Sequence, residues 1–178
     1  MIFDIEKACC FTGHRKIDNT KLPGLVEKLN LEIDWMASHG IENFVCGGAL
    51  GFDTISALTV LFHKQRGDNV KLHLMLPCPE QSARWKPSDI AVYNDIMERA
   101  DSVEVLCDHY HSGVMHIRNR AMVDACRYCI CFWDNSVYAD KTSGGGTLYT
   151  VNYARKLGRR IINLHDEPPE DAQIEFVF

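Results

Sequence analysis

The chain has 178 residues, 46% apolar and 24% charged, with 24 acidic against 19 basic side chains and a formal charge of −5. This composition suits one globular domain and excludes a disordered chain, a collagen and a coiled coil. No stretch approaches the roughly 20 uncharged apolar residues of a bilayer span, and an acidic chain lacks the broad positive surface that a nucleic-acid backbone selects.

Short apolar runs alternate with longer segments of helical period. Met1 to Lys7 mixes charged and apolar residues and does not read as a signal peptide, so a cytoplasmic protein is expected. Lys7 to Phe11 reads as a first strand, closed by Thr12-Gly13-His14-Arg15. A helix over Leu22 to Ser38 follows, with Pro23 in its first turn and Leu25, Val26, Leu29, Ile33 and Met36 as one apolar stripe. Asn43 to Cys46 is a second strand, and Gly47-Gly48-Ala49-Leu50-Gly51 a glycine-rich turn. The helix from Phe52 is expected to bury Ile55, Leu58, Leu61 and Phe62. Val70 to Leu76 is a third strand, followed by a loop opened by Pro77 and Pro79 and a helix after Pro87. Ser102 to Leu106 is a fourth strand, and a helix passes through Arg118, Met122 and Ala125. Tyr128 to Trp133 is a fifth strand, a helix starts at Thr147, and Arg160 to Leu164 is a last strand. Residues 166–178 form a tail or edge strand on a single domain spanning 1–178.

Strands alternating with helices imply an open, mostly parallel α/β sheet with helices on both faces. Ligands of such sheets bind outside the carboxyl ends of the strands, and the unusual residues fall at those ends. Eight cysteines lie mostly in apolar runs, where a thiol acts as a small apolar group, so no disulfide framework is expected. Cys126-x-x-Cys129-x-Cys131 and His109-x-His111 hint at zinc, but the paired spacing of a zinc knuckle is missing and no metal is expected. His109, His111 and His116, in or beside the loop after the fourth strand, read as ligand contacts or, as is commoner, as solvated loop histidines.

Four segments carry chemistry. Thr12-Gly13-His14-Arg15 offers a hydroxyl, an imidazole and a guanidinium for phosphate or ribose, or is simply a polar turn. Gly47, Gly48, Ala49 and Gly51 expose backbone amides at a strand-to-helix turn, a seat for an anion. Asp53 either accepts from a ribose hydroxyl or complements the helix dipole. Ser143-Gly144-Gly145-Gly146-Thr147 opens a helix and repeats the amide-plus-hydroxyl pattern, against the alternative of a linker. It is neither a Walker A loop nor a GxGxxG fingerprint, and no cofactor is implied. Arg118 and Arg120 near a helix start call for an anion or for a salt bridge to a surface carboxylate.

Taken together, these segments resemble the SLOG superfamily of Smf/DprA and Lonely Guy proteins, and within it the YpsA-like family. The carriers are Thr12-Gly13-His14-Arg15, Gly47-Gly48-Ala49-x-Gly51-x-Asp53, Pro77-x-x-x-Gln81-x-x-x-Trp85, Arg118-Asn119-x-x-Met122 and Ser143 to Thr147. The resemblance implies a Rossmann-like, doubly wound fold and a nucleotide-type ligand such as a nucleoside monophosphate or ADP-ribose, held by a sensor or regulatory protein. Glycine amides, Arg15 and Arg118 would hold phosphate, Asp53 a ribose hydroxyl, and Trp85 a base. Lonely Guy enzymes cleave the base from a nucleoside monophosphate. Their arginine maps to Arg118, but their glutamate maps to Thr150, which supplies no charge to stabilise a cationic sugar. An N-glycosidase here would draw on Arg118 with Asp134 or Asp53. A homo-oligomer, such as a dimer through the Ile174 to Phe178 tail, is expected, while single-stranded DNA is the disfavoured partner.

Overall fold

The structure, a computed structural model, describes residues 3–134 and 146–165. Its elements follow the alternation of the sequence: β1 (Ala8–Gly13), α1 (Leu22–Ser38), β2 (Asn43–Cys46), α2 (Phe52–Arg66), β3 (Lys71–Leu76), α3 (Pro87–Arg99), β4 (Ser102–Val105), α4 (Val114–Asp124), β5 (Tyr128–Phe132), α5 (Gly146–Lys156) and β6 (Arg160–Asn163). Short 3₁₀ turns at Ile5–Lys7 and Pro79–Ser82 complete them. The proposed edge strand and apolar tail at 166–178 lie outside the described residues.

The six strands form one parallel sheet in the order β4-β3-β2-β1-β5-β6. The chain winds outward from β1 to β4 and returns to the other side of β1 for β5 and β6. The order therefore reverses between β1 and β5, where the loops leaving the two strands part and open a crevice. Side chains alternate across the pleat. On β1, Cys9 and Phe11 pack with α1, α2 and α3, while Ala8 and Cys10 pack with α4 and α5. On β5, Ile130 and Phe132 take the first face and Cys129 the second. Both faces are covered, which accounts for the near-continuous apolar runs of β1, β2, β3 and β5.

Several strand ends differ from expectation by one or two residues, and two of them bear on the site. β1 runs two residues further than the apolar run, because Thr12 and Gly13 pair with Cys131 and Phe132 of β5. β5 stops one residue short. Beyond it the Asn163 side chain takes over from the ladder, accepting from the Trp133 N–H at 3.1 Å and donating to the Trp133 carbonyl at 2.8 Å.

The α2 helix buries only part of the stripe anticipated, Leu61 in the core and Ile55 against it. Phe52, Ala57, Val60 and Leu61 enter the core, whereas Leu58 and Phe62 are 39% and 55% exposed. The helix lies between α1 and α3, and only the arc toward the sheet and its flanks is covered. Leu58 and Phe62 instead line an outward groove of about 440 Å³ with Val26, which is also exposed. Beside it a polar lock joins α1 to α2. The Asn30 amide donates to the Val26 carbonyl at 2.8 Å, so its oxygen faces Nε2 of the buried His63 at 3.0 Å. Nδ1 of His63 sits 2.8 Å from Asp68 Oδ2. Among the described residues, Asp34, His63 and Asp68 are the one grouping close enough to share an ion. The Arg66 guanidinium already bonds both carboxylates.

The two faces of α2 separate by mutation. Leu61→Ala is expected to lower the unfolding free energy by about 2–5 kcal/mol, and Leu58→Ala by under about 1 kcal/mol, both read from urea unfolding curves.

Candidate functional site

The loop after β1 is seated on the start of α2. The Phe52 N–H donates to the His14 carbonyl at 3.1 Å. Gly51 packs so closely there that a Cβ would stand 2.4 Å from the Arg15 carbonyl oxygen, and its φ of +82° suits glycine. His14 in turn reaches the end of β5. Its Nε2 lies 3.1 Å from Asp134 Oδ1 and accepts from the Asp134 N–H at 3.2 Å. Thus residues of the first, second and fifth strand ends are tied into one rim.

Behind the rim, Asp53 and Arg118 meet out of water, each 6% exposed. Arg118 Nη1 stands 3.5 Å from Asp53 Oδ2, and the Ala49 N–H donates to the same oxygen at 3.1 Å. Asp53 thus answers amides of the glycine turn itself. Burial raises the Asp53 carboxyl above the usual carboxylate range, and Arg118, the Ala49 amide, Arg15 and the Gly47 amide pull it back in part. Burial likewise pushes the Cys46 thiol up, and Cys46 Sγ donates to the Asp53 carbonyl at 3.2 Å. Desolvating each ion costs several kcal/mol, and charges ~4 Å apart recover only about 4 kcal/mol at an effective dielectric near 20. One long contact does not offset that cost. Arg118 Nε is also buried with no hydrogen-bond partner among the described residues. A guanidinium placed so favours a further anion.

A cavity of about 570 Å³ opens here. Of the residues singled out in the sequence, Thr12, Gly13, His14, Arg15, Ala49, Asp53, Arg118, Gly146 and Thr147 line it. Gly47, Gly48, Gly51 and Trp85 do not. Gly47 and Gly51 act one layer back: a Cβ on Gly47 would fall 1.4 Å from Arg118 Nη1 and 2.9 Å from Asp53 Oδ2. The missing side chain makes room for the arginine. Trp85 packs edge-on against Tyr93, with ring centroids 5.2 Å apart, in the wall behind the turn. Asp134 stands at the rim beside His14, while Ser143, Gly144 and Gly145 lie outside the described residues.

Asn119 and Met122, carried in the sequence only as companions of Arg118, line the cavity with it, as do Phe11 and Met115, which had no assigned role, and His116, which read more readily as solvated than as a ligand contact. The signal was available on α4, where positions 115, 119 and 122 share one helical face with Arg118. Asn119 also joins α4 to α5, donating to the Gly146 carbonyl at 3.4 Å. Thr150, 1% exposed, spends its hydroxyl on the same carbonyl at 2.6 Å.

Because Gly47 is needed as a gap, Gly47→Ala is expected to displace Arg118. A loss of about 1–3 kcal/mol in unfolding free energy should follow, measured by chemical denaturation; unchanged stability would mean that the turn tolerates a side chain.

Comparison with known proteins places this geometry. A family model described as the YspA SLOG family matches residues 9–163. UPF0398 protein BH1768 of Halalkalibacterium halodurans is 27% identical over 139 residues, 74% of this chain and 70% of that protein. Among solved structures, DNA processing protein A of Streptococcus pneumoniae superposes with a TM-score of 0.59 at 15% identity, over 86% of this chain and 48% of that one. The Helicobacter pylori counterpart, described for its single-stranded DNA binding mode, gives 0.58 at 19% identity over 86% and 63%. TM1055 gives 0.53 at 14% over 86% and 71%. The chain therefore spans about half of the first DNA processing protein and under two thirds of the second. These likenesses show the fold, Rossmann-like and all-parallel, while the family match covers nearly the whole sequence: the chain belongs to the YspA SLOG family.

Proposed function

We propose that the cavity at the β1/β5 crevice binds a nucleotide or nucleotide-derived ligand, such as a nucleoside monophosphate or ADP-ribose, and that the protein acts as a sensor rather than a hydrolase. The observation that carries this reading is Arg118, buried yet held, among the described residues, by a 3.5 Å contact to Asp53, in a cavity shared with Arg15 and the start of α5. Two guanidiniums and a helix N-terminus suit a phosphate. The volume of about 570 Å³ suits a whole nucleotide. The ligand phosphate takes Arg118 and the first turn of α5, and its sugar lies toward Asp53 and the β1 loop. A base then meets Met115 and His116 rather than Trp85. A dimer remains part of this proposal, as does a cytoplasmic site of action; no helix among the described residues is long and apolar enough to cross a membrane.

The hydrolase reading loses its expected carboxylate, since Thr150 is buried with its hydroxyl bonded to Gly146. What favours it as a second reading is the His14–Asp134 pair at the rim, an imidazole and a carboxylate 3.1 Å apart. Release of free base from AMP, abolished in Asp134→Asn, would establish it; no release from any common nucleotide removes it. Single-stranded DNA, which the Helicobacter pylori neighbour is described as binding, is a poorer occupant for a chain of net charge −5.

The binding reading makes two predictions. At millimolar AMP, ADP-ribose or NAD, at least one should raise the melting temperature, and Arg118→Gln should weaken that ligand roughly tenfold to a hundredfold. A ligand-free preparation that none of them stabilises contradicts the reading. The second concerns pH. The folded Asp53 holds its proton to higher pH than the unfolded residue. Its ionisation therefore lowers stability as pH rises from the ordinary carboxylate value through the raised one. An anionic ligand beside it strengthens that preference, so affinity should fall as pH rises through the same window. Calorimetry in buffers of different ionisation enthalpy should show proton uptake on binding, absent in Asp53→Asn.

A further inference from the structure

We propose that Gln81 is the positioning residue of this site: it grips the turn that seats Asp53 and admits Arg118, without touching the ligand. The inference rests on the nucleotide-binding reading for its ligand arm only. Gln81 sits on the 3₁₀ turn Pro79–Ser82 after β3 and is 9% exposed. Its Nε2 donates to two carbonyls at once, Gly47 at 3.2 Å and Gly48 at 2.8 Å. These carbonyls belong to the turn whose next amide, that of Ala49, holds Asp53 Oδ2.

The turn is therefore held from both sides. On the inner side Arg118 fills the space that a Gly47 side chain would take, and Asp53 binds the amides. On the outer side Gln81 satisfies the carbonyls, with Leu76 and Tyr93 against Gly48 and Trp85 behind Tyr93. A peptide plane turns as a unit, so the Gly48 carbonyl and the Ala49 amide move together. Releasing the carbonyls lets that plane rotate, and the Ala49 amide then leaves Asp53. None of the neighbouring side chains replaces a double donor: Leu76 and Tyr93 meet the turn through carbon. A hydrogen-bonded second layer fixing the groups that meet a ligand is a recurrent device of preorganised sites.

Gln81→Leu keeps the bulk and removes both donors; Gln81→Glu keeps the shape and faces the carbonyls with a carboxylate. Trp85→Phe loosens the same wall without touching either carbonyl and serves as the control. Two readouts are taken on each folded variant: the carboxyl ¹³C titration of Asp53 without ligand, and ADP-ribose binding by calorimetry as a function of pH. Loss of the amides should move the Asp53 midpoint up by about one pH unit, equal to a tenfold change in its proton equilibrium. ADP-ribose should bind about tenfold more weakly, with the pH midpoint of binding displaced the same way. Trp85→Phe should change neither, even with a larger fall in melting temperature. The proposal is overturned by Asp53 titrating alike in wild type and both Gln81 variants, or by Trp85→Phe reproducing their effect. Should the wild type fail to bind ADP-ribose while the Asp53 midpoint moves, the positioning role stands and the ligand reading falls. If Gln81→Leu does not fold, Gln81→Glu carries the same comparison.

Discussion

A guanidinium and a carboxylate taken out of water need each other, and they need a gap in the main chain to meet. Here the gap is Gly47. Without a side chain at that position Arg118 of α4 crosses the crevice and comes within 3.5 Å of Asp53 on α2. The pair joins the two faces of the sheet, since α2 and α4 cover opposite sides. It is also incompletely satisfied, because one 3.5 Å contact returns less than two desolvated charges lose. Structure and chemistry are linked at this point. The same contact that closes the core over the strand ends leaves positive charge facing a cavity.

The sheet topology explains why such a contact arises there. At β1/β5 neighbouring strands send their following chain away from each other, in opposite directions along the sheet. The loop after β1 turns toward α1, and the chain after β5 leads to α5. Arg15, Asp53, Arg118 and Thr147 come from four separate stretches of sequence and line one cavity because the strand order reverses at this place.

Much of this was legible in the sequence, for identifiable reasons. Continuous apolar runs and the helical stripe on α1 give strand and helix positions to within two residues, since both faces of the sheet are buried. The stripe on α2 misleads because apolar residues occupy more than the covered arc. Leu58 and Phe62 look like core by type, yet α2 turns them away from the sheet while Ser56 and His63 are enclosed. At the site, the four segments marked as unusual supply nine of the cavity's lining residues. The roles within them were not readable. A glycine shows that something comes close, but not whether it is a ligand or, as at Gly47, an arginine from a later helix. Asp53 offered two readings, and folding added a third, the carboxylate that answers its own turn's amides. Trp85 promised a stacking surface, but Tyr93, eight positions later in sequence, claims one edge of it.

The cysteines give the fold a further property. None of the eight forms a disulfide, and seven are buried; Cys107, in the loop after β4, is the partly exposed one. Thiolate, not thiol, reacts with alkylating agents and oxidants; burial holds the Cys9, Cys46 and Cys126 thiols toward the neutral form, and hydrogen bonds from neighbouring thiols together with burial do the same for Cys10 and Cys129. The native protein thus carries a single handle for a label, with two strands, β3 and β2, between it and the crevice at β1. Attachment of any second label timestamps an opening of the sheet, so the chain contains its own clock for local unfolding.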